Sequence, residues 1–146
     1  MKLGVLTVPL YDRSLEEAIK WLSERGVTAL EIGCGGFPGN THLNPDDYLG
    51  NSQKIEELKA LFAKYNMEVA ALSCHGNAVH PDKTVAAKAE EDFRKTILMA
   101  EALGVNTIVT FSGCPGGSAD DKTPNWVTCS WPDDYTKILD YQWNAV

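Results

Sequence analysis

The stretch SLEEAIKWLSERGVTALEIG, residues 14–33, decides the fold. Ser14 and Glu17 form an S-x-x-E capping box, in which serine and glutamate reciprocally satisfy backbone N–H groups at a helix start. Leu15, Ala18, Ile19 and Leu22 recur at i, i+3, i+4 and i+7, which gives the helix one buried stripe, and Gly26 supplies its stop. Val27 to Gly33 then reads as a strand, and residues 3–8 form an earlier β-branched apolar run. Strand, helix, strand in this order makes a βαβ unit, whose strands lie parallel.

The same alternation continues outward. A helix from about Ser52 to Tyr65 carries Ile55, Leu58, Leu61, Phe62 and Tyr65 at helical spacing, with Asn66 as its stop. Met67 to Cys74 reads as the third strand. The long helix that follows has Ala89, Phe93, Ile97, Ala100 and Leu103 on one face before Gly104, and Val105 to Phe111 reads as the fourth strand. A last helix starts near Asp133, after Pro132, with Tyr135, Ile138, Leu139 and Trp143 as its apolar face, and is still running at Val146. Four βα units admit two common architectures, an open doubly wound sheet or part of an eightfold barrel. Barrels place about 250 residues in eight units, and this chain has 146 residues in four.

Cys34, Cys74 and Cys114 lie 40 residues apart, and each is expected just beyond the C-terminal end of a strand. The loops 33–50, 73–82 and 112–132 therefore belong to one face, where parallel α/β folds place their sites. The chain has 13 Lys+Arg against 20 Asp+Glu, a formal net charge of −7. The basic residues are scattered among carboxylates rather than clustered, which argues against nucleic-acid binding. No apolar run approaches the roughly 20 residues that span a bilayer, and the start is too short for a signal peptide. The four cysteines contain no C-x-x-C pair, so free thiols in a cytoplasmic protein are expected.

On the expected functional face, the glycine-rich Gly33-Cys34-Gly35-Gly36-Phe37-Pro38-Gly39-Asn40 lacks a Walker loop and a dinucleotide fingerprint. It reads as tight turns. Glu31 sits inside the second strand between Leu30 and Ile32, where a charge is expensive unless paired or functional. It is read either as a site residue or as a carboxylate satisfied by Ser, Asn or Lys on adjacent strands. His75, before Gly76-Asn77 at the tip of the third strand, suits a hydroxyl contact or a metal ligand. His42 and His80 are expected to be solvated. Trp126 and Trp131 lie in the long fourth loop, where an indole either stacks on a sugar or pins its own loop.

The segments Ala71-Leu-Ser-Cys-His-Gly-Asn77, Thr110-Phe-Ser-Gly-Cys-Pro-Gly116 and Pro124-Asn-Trp-Val-Thr-Cys-Ser-Trp-Pro132, with Trp143-Asn144, resemble sugar phosphate isomerase/epimerase proteins of the xylose isomerase-like TIM-barrel superfamily. The resemblance implies an α/β fold with parallel strands, a (β/α)4 half of a TIM barrel whose full-length relatives are (β/α)8. Residues 1–146 would be its N-terminal half, incomplete at the C-terminus. It also implies a divalent metal (Mn, Mg, Co or Zn) at the barrel mouth of the full-length protein, polarising an open-chain sugar while carboxylates move a proton between adjacent carbons. The usual Glu, Asp, His and Glu ligands come from later strands, so the catalytic and metal residues are expected in the missing half. No metal and no activity are expected in this chain alone.

The positions that the resemblance assigns to substrate binding are Glu31, His75, Asn77 and Trp126. In the related apurinic endonucleases, histidines at first-half strand ends bind zinc, which makes His75 a weak metal candidate. The fourth strand ends here in Ser112-Gly113 without a second histidine, and with the −7 charge this argues against DNA repair. The expected function is a sugar or sugar-phosphate isomerase or epimerase with a small-molecule substrate. The alternative is a non-catalytic half barrel whose open edges pair with a second copy or a partner.

Overall fold

The computed structural model describes residues 2–127 and 134–146. Cys129, Trp131, Pro132 and Asp133, and with them the expected start of the last helix, lie outside the described residues. The strands are β1 (Gly4–Leu6), β2 (Ala29–Gly36), β3 (Glu68–His75) and β4 (Ile108–Val109). They form one sheet in the order β1-β2-β3-β4, with every neighbouring pair parallel. The helices are α1 (Leu15–Ser23), α2 (Pro45–Tyr48), α3 (Ser52–Lys64), α4 (Lys83–Leu103) and α5 (Asp134–Ala145). Sequential strand order is that of a (β/α)4 half barrel. It overturns the doubly wound alternative, in which β1 would be an interior strand.

Two compact units divide the chain, Met1–His75 with Asp92–Thr110 and Gly76–Glu91 with Phe111–Val146. The first holds the whole sheet and the main core. Its capping box forms in both directions: Glu17 N donates to Ser14 Oγ at 3.3 Å and Ser14 N to Glu17 Oε2 at 2.9 Å. Gly26, Asn66 and Gly104, the three helix stops, have φ of +77°, +50° and +75°, the left-handed cap that turns the chain back toward the sheet. Ile19 of α1, Leu30 and Ile32 of β2, Leu72 of β3 and Met99 of α4 are fully buried in one cluster. Each such side chain contributes about 1.5–3 kcal/mol.

Alternation puts Leu30, Ile32 and Cys34 on the helix-covered face of β2 and leaves Ala29, Glu31 and Gly33 on the other. On β3, however, both Val69 and Leu72 pack into the core although they are an odd three positions apart. A register shift reconciles the two: Leu30 pairs with Val69, but Glu31 pairs with Ala71, so Ala70 is an extra residue on β3. Ser73 thereby falls opposite Gly33, on the same face as Glu31.

Several expectations are corrected. β2 runs on through Cys34-Gly35-Gly36, and Cys74 lies within β3, so these two thiols are inside strands rather than beyond them. The glycine stretch is half strand, and its loop contains α2, capped by Asn44 Oδ1 accepting from Asp46 N. β4 is a two-residue edge rather than the full Val105–Phe111 run. The Thr110 hydroxyl extends its pairing by donating to Cys74 O at 2.8 Å.

On α4, Thr96 is buried and Ile97 is 44% exposed. The stripe follows 89, 93, 96, 100 and 103, and the Thr96 hydroxyl is tolerated inside because it donates to Asp92 O at 2.9 Å. Apolarity alone misplaced Ile97. We expect Met99→Ala to cost about 3 kcal/mol and Ile97→Ala to change stability by no more than about 0.5 kcal/mol, both read from urea unfolding. The reverse ranking would return Ile97 to the core.

Candidate functional site

In the first unit, Glu31 stands within β2 on the open face of the sheet. Glu31 is half-buried among the small buried Ala29 and Ala71, and Ser73, fully buried, donates its hydroxyl to Glu31 Oε1 at 2.5 Å. A hydroxyl–carboxylate bond this short is charge-assisted and strong. It fixes the carboxylate in one orientation, and Oε2 has no hydrogen-bond partner among the described residues. Ser73 was not singled out in the sequence. Its alternation with His75 is a signal that could have found it, but only with the register in hand.

His75 ends β3 and follows Ser73 by alternation on the same side of the strand. Its backbone is held tightly: Phe37 N donates to His75 O at 2.8 Å. Opposite it stands Gly36, with φ +64°, where a Cβ would lie 2.2 Å from His75 O. Only glycine permits that approach. The structure thus brings Glu31 and Ser73 together within the sheet, two residues before the carboxyl end of β3.

The other histidines and the thiols read differently. His42 is 7% exposed rather than solvated, because its Nε2 donates to Arg13 O at 3.1 Å. His80 is half-buried and its Nδ1 accepts from Asp82 N at 2.9 Å. Burial pushes the Cys34 thiol up to about 11, partly opposed by the Thr96 hydroxyl. A neutral buried thiol is a poor nucleophile. Since this value lies above the ordinary 9.0, the thiol's contribution to stability is complete below pH 9 and is lost as the pH rises toward 11.

Asn77 and Trp126 lie in the second unit. Both ends of the Asn77 amide engage the Cys114 backbone: Nδ2 donates to its carbonyl at 2.7 Å and Oδ1 accepts from its N–H at 2.9 Å. Trp126 is half-buried and meets Trp143 edge to face, with centroids 5.0 Å apart and planes at 84°.

Gln142 is fully buried where the sequence pattern offered only an apolar face. Its Nε2 donates to Asn125 O at 2.8 Å and its Oε1 accepts from Val127 N at 3.1 Å, on either side of Trp126. Asp121 accepts from Gly117 N, the Ser118 hydroxyl and the Asn125 amide. These bonds, led by that of Gly117, hold its carboxyl below the usual range. Among the described residues no three His, Cys, Asp or Glu side chains converge to hold a metal ion. No chemical step is assigned to one.

A family model described as a xylose isomerase-like TIM barrel matches residues 13–141. The uncharacterized protein YfiH of Bacillus subtilis (strain 168) is 38% identical over 149 residues, covering 100% of this chain and 47% of that protein. The chain therefore spans about half the length of the curated relative it matches. Among solved structures, the probable 3-DHS dehydratase AsbF of Bacillus anthracis, involved in petrobactin synthesis, superposes with a TM-score of 0.57. The identity is 20%, over 82% of this chain and 41% of that one, a likeness of fold. No helix among the described residues is long and apolar enough to cross a membrane.

Iodoacetamide at pH 8 should label the half-buried Cys114 and leave Cys34 and Cys74 unmodified until denaturant is added, as read by peptide mass spectrometry. Prompt native labelling of Cys34 would contradict its burial.

Proposed function

The chain belongs to the xylose isomerase-like TIM barrel family, and from that premise we propose that the protein carrying it isomerises or epimerises a sugar or sugar phosphate by moving a proton next to a carbonyl. The single observation behind this reading is the Ser73–Glu31 hydrogen bond, on the open face of the sheet and two residues before the strand-end His75. A carboxylate inside a strand carries a desolvation cost that function can offset. With Oε1 held by Ser73, Oε2 is placed to accept a hydrogen bond from a polyol hydroxyl, and His75 offers a second hydroxyl contact at the strand end.

In this reading the chain orients substrate through Glu31 and His75 of the first unit. The groups that transfer the proton and any ligands of a divalent metal are assigned to no residue of this chain. The protein acts in the cytoplasm on a small molecule, without nucleic acid or membrane. An open-chain aldose or ketose fits a polar face lined by small residues, because its adjacent hydroxyls present donors to a fixed carboxylate.

The test is proton exchange. The intact polypeptide that contains this sequence, given a panel of aldoses and ketoses with a divalent cation in deuterated water, should place deuterium on the product carbon next to the carbonyl. Failure to convert any sugar of the panel overturns the reading. Glu31→Gln should raise KM roughly tenfold or more, the size of losing one charge-assisted hydrogen bond, with a smaller effect on kcat. Unchanged KM with abolished kcat would instead make Glu31 a proton-transfer group.

The position of β1 and β4 as the outer strands of the sheet among the described residues favours a second reading, a self-associating half barrel. Light scattering of the 146-residue chain should then give twice the mass of one chain, and a well-folded monomer removes this reading.

A further inference from the structure

Thr110 opens the segment Thr110-Phe-Ser-Gly-Cys-Pro-Gly116, and its hydroxyl bears on the strand-end His75. The direction of a side chain is set by the two planar peptide groups that flank its Cα. Around His75 both are held, from opposite sides of β3. The carbonyl that precedes it, Cys74 O, accepts from the Thr110 hydroxyl at 2.8 Å on the β4 side. The carbonyl that follows Cα, His75 O, accepts from Phe37 N at 2.8 Å on the β2 side.

The two donors differ in kind. On the β2 side the donor is main chain, and Gly36 packs so closely that a Cβ there would lie 2.2 Å from His75 O. On the β4 side the paired residues end with Ser73 opposite Val109, so the ladder stops short of Cys74. A side-chain hydroxyl therefore does at Cys74 what a longer strand would do with a backbone N–H.

That role selects a residue type. Any residue but proline brings a backbone donor, whereas this one needs a hydroxyl, and on threonine it sits on a β-branched stem with a restricted χ1. Thr110 is itself exposed, so its hydrogen bond, not its burial, is what it contributes here.

We infer that Thr110 is a positioning residue: with the Phe37 N–H it fixes the two peptide groups that meet at the His75 Cα, and so aims the bond that carries the imidazole. An imidazole aimed in advance has less freedom to lose when a substrate arrives. The benefit to substrate rests on the proposed function, in which His75 contacts a hydroxyl; the aiming does not.

The experiment has two arms. In the first, the isotope-labelled 146-residue chain is compared by NMR, without ligand, with its Thr110→Val and Thr110→Ser variants. Thr110→Val keeps the shape and removes the donor: it should shift the Cys74 carbonyl resonance and move or split the Hε1 resonance of the His75 ring, and Thr110→Ser should restore both. A His75 ring signal unchanged in Thr110→Val overturns the inference. In the second, the intact polypeptide is assayed with the sugar it converts. Thr110→Val should raise KM about fivefold, the size of one neutral hydrogen bond, with kcat little changed, and Thr110→Ser should return it. In a His75→Ala background Thr110→Val should add nothing, because a residue that acts through another has no effect once that other is gone. An equal rise of KM in both backgrounds marks a merely structural role and overturns the inference. If no sugar is converted, the proposed function falls while the first arm still decides the aiming.

Discussion

A carboxylate placed in the middle of a parallel strand has to be hydrogen-bonded, and here that demand is met across strands by Ser73 at 2.5 Å. The bond exists only because β3 carries an extra residue at Ala70. Without the shift, the residues that follow on β3 would fall one position out of step with β2, and a slip of one residue exchanges the two faces of a strand. Leu72 would leave the core and Ser73 would turn toward the helices. Core packing and the polar pair are therefore set by one register: Ile32 opposite Leu72, and Gly33 opposite Ser73. The glycines of β2 follow from the same arrangement, since Gly36 lies against the His75 backbone too closely for any side chain.

The second unit is organised by other means. Its loop 111–127 contains little regular structure among the described residues, and polar side chains take over the satisfaction of its backbone. Asn77 pairs with both backbone groups of Cys114, Asp121 gathers three donors, and Gln142 brackets Trp126 from α5. A buried glutamine with its amide engaged at both ends rigidifies a loop, because leaving either end unmatched is expensive. The edge-to-face pair of Trp126 and Trp143 is held at this point. Asp121 ties that rigidity to ionisation: with its carboxyl held below the usual range, the brace is complete near neutral pH and is lost as the pH falls through the lowered value.

Much of the fold was legible from local pattern. The box at Ser14 and Glu17, the left-handed stops at Gly26, Asn66 and Gly104, and the strand–helix alternation are properties of short segments. So was Glu31, because a charge between Leu30 and Ile32 contradicts its surroundings. The misreadings share a cause. Ile97, Tyr135 and Trp143 were placed inward for their apolarity, whereas Thr96 and Gln142 are the buried residues once their polar groups find partners in Asp92 and in Asn125 and Val127. Likewise, His42 was read as a solvated loop residue because nothing local announces the Arg13 carbonyl 29 positions away.

The amino-acid sequence by itself determined four alternating βα units and a net charge of −7, while the family rests on the resemblance of the segments 71–77, 110–116 and 124–132. The alternation and the charge reside in periodicities shorter than one element and in composition. Strand order, the shift at Ala70, the Ser73 partner of Glu31 and the Thr110 bond to Cys74 were decided only in the tertiary structure. Each depends on which distant segment supplies a hydrogen bond, and that choice is made by the packing of the whole sheet against its helices rather than by any single stretch of chain.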